Sequence, residues 1–321
     1  MNDYHNISLT QAIKKLISKY NLTKILIGIS GGQDSIILLK ILKHIIAYYH
    51  LSLHIEYIYI DHQWKVDSKK QILHLANYLY NNHELISIYQ IHDQTVNEKH
   101  ARKSRYQILV NHAIHQKFQC IMTAHTQIDK IETFFINLVR GTSIEGATSL
   151  IMHRQIHQNI HIIRPLININ RNKIEFLCKK FCVPIWSDYS NYDLTINRNR
   201  LRYELLPYLK NYFNYKIEDN IYKFIQISAI DNEYIKQNTL KLYLNSHHHQ
   251  YIALNCNYIY LQHAALQLRI LQLFFIYHFN IIFPHNLLKY LVSLLFYSHK
   301  DETIVFMHIV IKIKLSWLYI L

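Results

Sequence analysis

Glycine is scarce in this chain of 321 residues, with only 5, and proline and cysteine number 4 each. The four cysteines, Cys120, Cys178, Cys182 and Cys256, form no C-x-x-C pair, so zinc, iron–sulfur and disulfide frameworks are all poorly supported. Cys178 and Cys182 lie four apart on an expected helix, where two small apolar residues are the plainer reading. Long apolar runs are missing too. The most apolar late segment, Leu271 to Phe283, contains His278 and Asn280 and falls short of the roughly 20 residues a membrane helix needs; a core helix is expected there, and no membrane partner. The start, Met1-Asn2-Asp3-Tyr4-His5, lacks the charged and apolar stretches of a signal peptide and the Arg- and Ser-rich character of a transit peptide, so no export is expected.

Half of the residues are hydrophobic, with 26 Tyr and 23 His. That excludes a disordered chain and leaves room for two domains with an ample core. The abundance of Ile, Asn, Lys and Tyr suggests an A+T-rich coding sequence. Against that bias the five glycines, Gly28, Gly31, Gly32, Gly141 and Gly146, fall in two short segments, which marks those segments as places where backbone geometry tolerates little else. The 35 lysines and arginines outnumber the 21 acidic residues, for a net charge of +14. Such a balance points to a polyanion such as nucleic acid, although a lysine-rich composition produces basic bias as well.

The first glycine segment is the most informative. An apolar run, Ile25-Leu26-Ile27, leads into Gly28-Ile29-Ser30-Gly31-Gly32-Gln33-Asp34-Ser35 and on into Ile36, Ile37, Leu38 and Leu39, a pattern of strand, tight loop and helix. Backbone N–H groups and the positive end of the helix face the mouth of such a loop, so an anion belongs there. Asp34 would repel bound phosphate unless a divalent cation lay between them, which implies Mg2+. The loop lacks the Gly-Lys-Ser/Thr ending of the usual phosphate loop and the G-x-G-x-x-G of dinucleotide folds. The six residues Ser30 to Ser35 instead resemble the pyrophosphate loop of the PP-loop ATPases, which split ATP between its α and β phosphates. A glycine turn joining strand to helix is the plainer alternative for the loop alone.

Strands are expected at 55–60, 85–91 and 120–124 besides the first, and helices at 8–20, 36–49, 68–81, 98–118 and 129–139. Strand alternates with helix, the pattern of a doubly wound α/β fold with a parallel sheet. Asp61-His62 and His125 each follow a strand directly, and in such a sheet the carboxyl ends of the strands line one crevice. Glu98, Arg102 and Arg105 share a helix face, as a solvated charged face also would. On the next helix Asp129, Glu132 and Thr133 share a face opposite the apolar Ile128, Ile131, Phe135 and Leu138. Two acids at a helix start can serve its dipole, or hold a metal beside a nucleotide. After about Tyr215 a helix is expected at 222–244 and a strand at 304–315.

Together these segments resemble the tRNA(Ile)-lysidine synthetases. Ile60-Asp61-His62 with Ser68 resembles the family's second-strand motif, and Glu98 to Tyr106 its E-x-x-A-R-x-x-R-Y helix. Thr123-Ala124-His125-Thr126-Gln127-Ile128-Asp129-Lys130-Ile131-Glu132-Thr133, followed by Arg140-Gly141, resembles T-A-H-H-x-D-D-Q-x-E-T with its R-G. Arg164-Pro165-Leu166, Arg171 with Ile174, Asp188 with Ser190-Asn191, and Arg198 to Arg202 with Leu206-Pro207 follow in family order. Thr126, Ile128 and Lys130 depart from the pattern, where the family has His, Asp and Gln.

The resemblance implies a PP-loop catalytic domain over 1–210 and a mostly helical, tRNA-gripping region over 211–321. It implies that ATP adenylates the C2 oxygen of the wobble cytidine of tRNA(Ile) with a CAU anticodon, and that free L-lysine then displaces AMP to leave lysidine, which reads AUA in place of AUG. On that resemblance ATP would be held by Ser30, Gly31, Gly32, Gln33, Asp34, Ser35, Asp61 and His62, and Mg2+ by Asp34 and Asp129. Arg105 would stabilise charge, His125 and Glu132 would orient the reacting groups, and Arg198, Arg200 and Arg202 would clamp tRNA phosphate. The family leaves room for a homodimer. A PP-loop tRNA thiolase and a tRNA-binding homologue without catalysis are the alternative readings. A plastid, with the chain organelle-encoded and acting in the stroma, is the expected compartment, the cytoplasm of a reduced bacterium the alternative.

Overall fold

A computed structural model describes the backbone of residues 4–61, 68–91, 98–157, 159–183, 193–295 and 302–321. In order, the first part of the chain forms α1 (Tyr4–Lys19), β1 (Lys24–Gly28), α2 (Gln33–Tyr49), β2 (His54–Asp61), α3 (Ser68–Tyr80), β3 (Ile86–Gln90), α4 (Glu98–His115), β4 (Cys120–Thr123), α5 (Gln127–Val139), the short α6 (Ile144–Ala147), β5 (His153–His157), β6 (Ile160–Ile163) and α7 (Arg171–Lys180). Then come α8 (Asn197–Arg200), a π-helical turn at Leu201–Leu205, α9 (Leu206–Tyr212) and the long α10 (Ile217–Ser246). The chain divides into two compact units, Met1–Gln226 and Ile227–Leu321, the division falling within α10.

In the first unit six strands form one sheet in the order β3-β2-β1-β4-β6-β5. All neighbours are parallel except the β5–β6 hairpin at the edge. Alternation along the strands explains why helices cover both faces. Ile25 and Ile27 of β1, Tyr57 and Tyr59 of β2, and Cys120 and Met122 of β4 turn to one side, where they pack with α1, α2, α3 and α7. Leu26, Ile58 and Ile121 turn to the other and pack with Leu109 and Ala113 of α4. Residues Ile25, Leu26, Ile27 and Ile37 are fully buried, each contributing on the order of 2 kcal/mol of transfer free energy. The doubly wound α/β expectation is met.

Strand order reverses beside β1: the chain runs β1, β2, β3 to one side and then returns to place β4 on the other. That reversal opens a crevice at the carboxyl ends of β1 and β4, the place where such sheets bind ligands.

Sequence patterns missed the β5–β6 hairpin. His153-Arg154-Gln155-Ile156-His157 is mostly polar and exposed, as an edge strand with one solvated face allows, and Ile160–Ile163 is only four residues long.

The second unit adds β7 (Ala253–Asn255), α11 (Cys256–Tyr260), α12 (Ala264–Phe279), α13 (His285–Leu295), β8 (Glu302–Phe306), β9 (Ile309–Lys314) and β10 (Trp317–Ile320). Its four strands form an antiparallel sheet in the order β7-β10-β9-β8. Ile309, Ile311 and Ile313 alternate into a core with Phe274, Phe275, Leu291 and Leu318, so the apolar segment around Leu271 is indeed a core helix. The single strand expected at 304–315 is a hairpin turned at Met307. A second tight turn, Leu315-Ser316, joins β9 to β10 with φ of 51° and 63°. Two-residue turns of that hand normally take Asn-Gly, and its absence hid both hairpins. No described helix is long and apolar enough to cross a membrane.

The same scarcity shows at helix ends. Among the described residues, nine other than glycine adopt positive φ, including Asn21 after α1, His50 after α2, His83 after α3 and Asn280 after α12. Glycine is the usual residue at such caps. Of the glycines, only Gly31 and Gly141 do so, both at +75°. Gly28 has room for a Cβ, with nothing nearer than 3.8 Å, so its survival is not explained by crowding.

Candidate active site

The loop after β1 is held by three hydrogen bonds. Ser35 Oγ donates to Gly32 O at 2.7 Å, Ser30 N donates to Ser35 Oγ at 3.3 Å, and Gln71 Nε2 of α3 donates to Ser30 O at 2.9 Å. Gly32 is the extended N-cap of α2, so the first N–H groups of that helix face the crevice. A Cβ at Gly31 would sit 3.2 Å from Gln71 Nε2. Since this chain accepts left-handed backbone without glycine elsewhere, the contact with Gln71 is the sharper reason for glycine here. Gly31→Ala is expected to lower stability by about 1 kcal/mol through backbone strain and to loosen the Gln71 bond. A melting temperature reduced by several degrees, with ATP protecting less than in wild type, is the outcome to look for.

Asp34 stands in the first turn of α2, partly buried, and its Oδ1 accepts no hydrogen bond. Arg171 Nη1 of α7 lies 3.8 Å from it, and the Gln33 side-chain amide lies against the same guanidinium, where its oxygen accepts once the amide is turned over. Burial, reinforced by the charge of Asp129, raises the Asp34 pKa to about 6, with Arg171 and Arg202 opposing.

Across the crevice β4 ends at Thr123, whose Oγ1 lies 2.9 Å from Nδ1 of His125. Burial drives the His125 pKa well below the ordinary imidazole range, and Arg164, Arg102 and Arg198 push the same way against Asp129; at neutral pH His125 is a neutral ring. Thr126 caps α5: its N donates to Asp129 Oδ2 at 2.7 Å and its Oγ1 at 3.2 Å. One turn on, Glu132 is 1% exposed and takes Arg202 Nε and Nη2, each at 2.7 Å, on one oxygen. Burial outweighs the arginine and carries its pKa up to about 7.

These elements enclose a cavity of about 330 Å3. Ser30, Asp34 and Ser35 line it from the loop, Arg102, Arg105 and Tyr106 from α4, His125 and Asp129 from the β4 end and α5, and Arg198 from α8. The loop, the arginine helix and the His125 segment, far apart in the chain, therefore meet as expected. Asp61 is buried at the end of β2 but is not among the lining residues, and His62, with Asp188, Ser190 and Asn191, lies outside the described residues.

The three arginines of the 198–202 segment separate. Arg198 lines the cavity, Arg200 lies on the surface 3.2 Å from Glu204, and Arg202 turns inward to Glu132, with Nη2 3.9 Å from Asp129. Residues two apart on a helix point to nearly opposite sides, which separates Arg200 from the other two, and the wider winding of the π-helical turn that follows it shifts Arg202 out of phase with Arg198.

Sequence reasoning gave no role to Gln71, Arg171 or Arg164. Arg164 is buried, donates to Ile151 O at 2.9 Å, and reaches the Tyr106 hydroxyl at 3.3 Å, which couples the end of β6 to α4. The position of an arginine directly after a strand was the available signal, and the four-residue strand was too short to read.

The model of the PP-loop domain matches residues 5–209. A chloroplastic tRNA(Ile)-lysidine synthase of Gracilaria tenuistipitata var. liui is 48% identical over 309 residues, covering 95% of this chain and 96% of that protein. The chain belongs to the tRNA(Ile)-lysidine synthase family. A second chloroplastic synthase, from Pyropia yezoensis, is 36% identical and covers 85% of this chain and 84% of its own. The Nostoc synthase is 37% identical over 68% of this chain and 64% of its own length. Among solved structures, a U34-tRNA thiolase of Methanococcus maripaludis with a 4Fe-4S cluster shares the fold, with a TM-score of 0.55 at 16% identity over 70% of this chain and 81% of that one.

Within the synthase family the departures at Thr126, Ile128 and Lys130 now have a physical reading. Ile128 packs against the apolar cluster of Ile131, Leu206 and Ile225, and the Lys130 ammonium lies 5.4 Å from the centre of the Tyr222 ring on α10. Neither residue lines the cavity. Thr126 supplies the helix cap, Asp129 lines the cavity, and Glu132 is buried against Arg202.

Proposed function

We propose that this protein is a tRNA(Ile)-lysidine synthase that uses ATP to adenylate the C2 oxygen of the wobble cytidine in a CAU anticodon, and then joins free L-lysine to C2. What supports the reading most is that Ser30, Asp34, Arg105, His125 and Asp129 border one cavity at the reversal point of the sheet, in a chain of this family. The cytidine oxygen attacks the α-phosphorus and pyrophosphate leaves. The lysine amine then attacks C2, loses a proton, and the original C2 oxygen departs with AMP.

Each residue's part follows from its chemistry. The loop 30–35 offers backbone N–H groups and two hydroxyls to the pyrophosphate. Arg105, with Arg102 beside it, offsets charge on the transferring phosphoryl group, in a cavity walled by the apolar Ile58, Ile60 and Leu109, where charge is weakly screened. A neutral His125 can accept a hydrogen bond or a proton. Glu132 positions Arg202 and through it Asp129.

Mg2+ fits the acidic part of the site. Asp34 Oδ1 is buried without a hydrogen bond, and burial, with the charge of Asp129 added to it, raises the Asp34 pKa. Those two carboxylates would hold the ion, which would neutralise phosphate charge. No cluster of three or more metal-ligating side chains occurs among the described residues.

The region from 211 onward would grip tRNA, and a plastid is the proposed compartment, since the algal relatives are named as chloroplastic. Incubating the protein with labelled lysine, ATP and the CAU transcript tests the activity. ATP-dependent transfer of label to the tRNA is expected; tight binding without transfer, or sulfur incorporation from a thiol donor, would overturn it. A thiolase reading finds little here, since Cys120, Cys178 and Cys256 are buried and only Cys182 is exposed.

A further inference from the structure

A second cavity in the first unit, of about 540 Å3, opens between the C-terminal half of α5 and the segment from α8 to α9. Phe135 and Val139 form one wall, Leu201 and Tyr208 the other, with Arg140 and Arg200 at its rim. Val139 is 83% exposed and Tyr208 54%, an unusual cost for apolar side chains set in a cleft. The synthase chemistry described above uses none of these side chains at the reacting atoms.

We propose that this groove takes an unpaired base of the same RNA strand, the adenine next to the target cytidine, stacked against Tyr208 with its flanking phosphates on Arg140 and Arg200. The proposal rests on the synthase reading and extends it to the anticodon neighbour. Three observations carry it. The composition is that of single-strand readers, an apolar and aromatic floor bordered by arginines, in a chain of net charge +14. The distance fits: Asp129 lines the first cavity and Phe135 the second, and six residues of helix rise about 9 Å, a reach an extended RNA strand covers in a nucleotide or two. Finally, Arg200 is available to a phosphate, because its partner Glu204 is an exposed i,i+4 neighbour, and such pairs contribute little.

The test uses the full chain and a CAU transcript with 2-aminopurine in place of that adenine. In the wild-type complex the fluorescence should be quenched further than in free tRNA, and Tyr208→Ala should remove most of that added quenching and weaken binding about tenfold. Arg140→Ala should lower the salt dependence of binding by about one phosphate contact. Because Tyr208 is exposed, the variant is expected to keep the wild-type melting temperature, and Tyr208→Phe should retain the quenching. Unchanged quenching and affinity in Tyr208→Ala, while the protein still transfers lysine, would overturn the groove assignment alone. A loss of dimer on sedimentation with RNA affinity intact would overturn it in favour of a second copy of the chain. Absence of both lysine transfer and tRNA binding in the wild type would instead overturn the synthase reading beneath it.

Discussion

Asp34→Ala is expected to reduce tRNA-dependent ATP–pyrophosphate exchange by at least roughly a hundredfold, the scale of losing one preorganised electrostatic group, while the fold persists. The carboxylate sits in the first turn of α2, beside the loop that would hold pyrophosphate, with one oxygen buried and free of hydrogen bonds. It is retained at a cost. Its pKa, raised to about 6 by burial and by Asp129, means that the folded state binds a proton more tightly than the unfolded chain does. Such a group favours folding below its unfolded pKa near 4, and that contribution is lost as pH rises through 6. Asp34→Asn should therefore be inactive yet more stable than wild type at pH 8, by about 1 to 2 kcal/mol after allowance for its partial exposure. Urea unfolding at pH 4.5 and pH 8 checks this, the advantage appearing only at the higher pH. A variant that is both inactive and destabilised at pH 8 would make Asp34 a structural residue.

The largest effect on stability is expected from Arg202→Ala. Its guanidinium meets Glu132 at 2.7 Å, and Glu132 is nearly inaccessible. Removing one partner of a buried ion pair costs about 3 to 5 kcal/mol when the other stays charged. Glu132 has an escape, because its pKa already stands at about 7; without Arg202 it rises further and the carboxyl takes up a proton. The folded variant thus binds more protons than wild type above pH 7, and its loss of stability must grow with pH. We expect about 1 to 2 kcal/mol at pH 6 and about 3 kcal/mol or more at pH 8.5. Denaturant midpoints at the two pH values measure it, and an equal loss at both would contradict the coupling. If Arg202 served only as a surface clamp on tRNA, the substitution would weaken RNA binding without touching stability.

That contrast shows where sequence reading stopped. Arg198, Arg200 and Arg202 look equivalent as an alternating string, but the helix turns Arg200 away from the other two, and the π-helical turn at Leu201–Leu205 begins between Arg198, which lines the cavity, and Arg202, which meets Glu132. The parallel sheet was legible because β1, β2 and β4 carry short apolar runs, buried at 25–27, 57–59 and 120–122, with polar residues soon after each. The hairpins were not, because a glycine-poor chain makes its tight turns with Met307, Leu315 and Ser316 and so erases the usual turn signal. Likewise the meeting of Ser30, Arg105 and His125 could be argued from strand order alone. The latch from Gln71 to Ser30 could not, since nothing in α3 distinguishes that glutamine from a solvent-facing one.

We propose that the target base is activated through its own C2 oxygen in the cavity between β1 and β4. A CAU transcript carrying 18O at that single oxygen tests it directly by mass spectrometry of the released nucleotide. One 18O should appear in each AMP formed and none should remain at C2 of the product base. Unlabelled AMP, with the heavy oxygen still in the RNA, would contradict it.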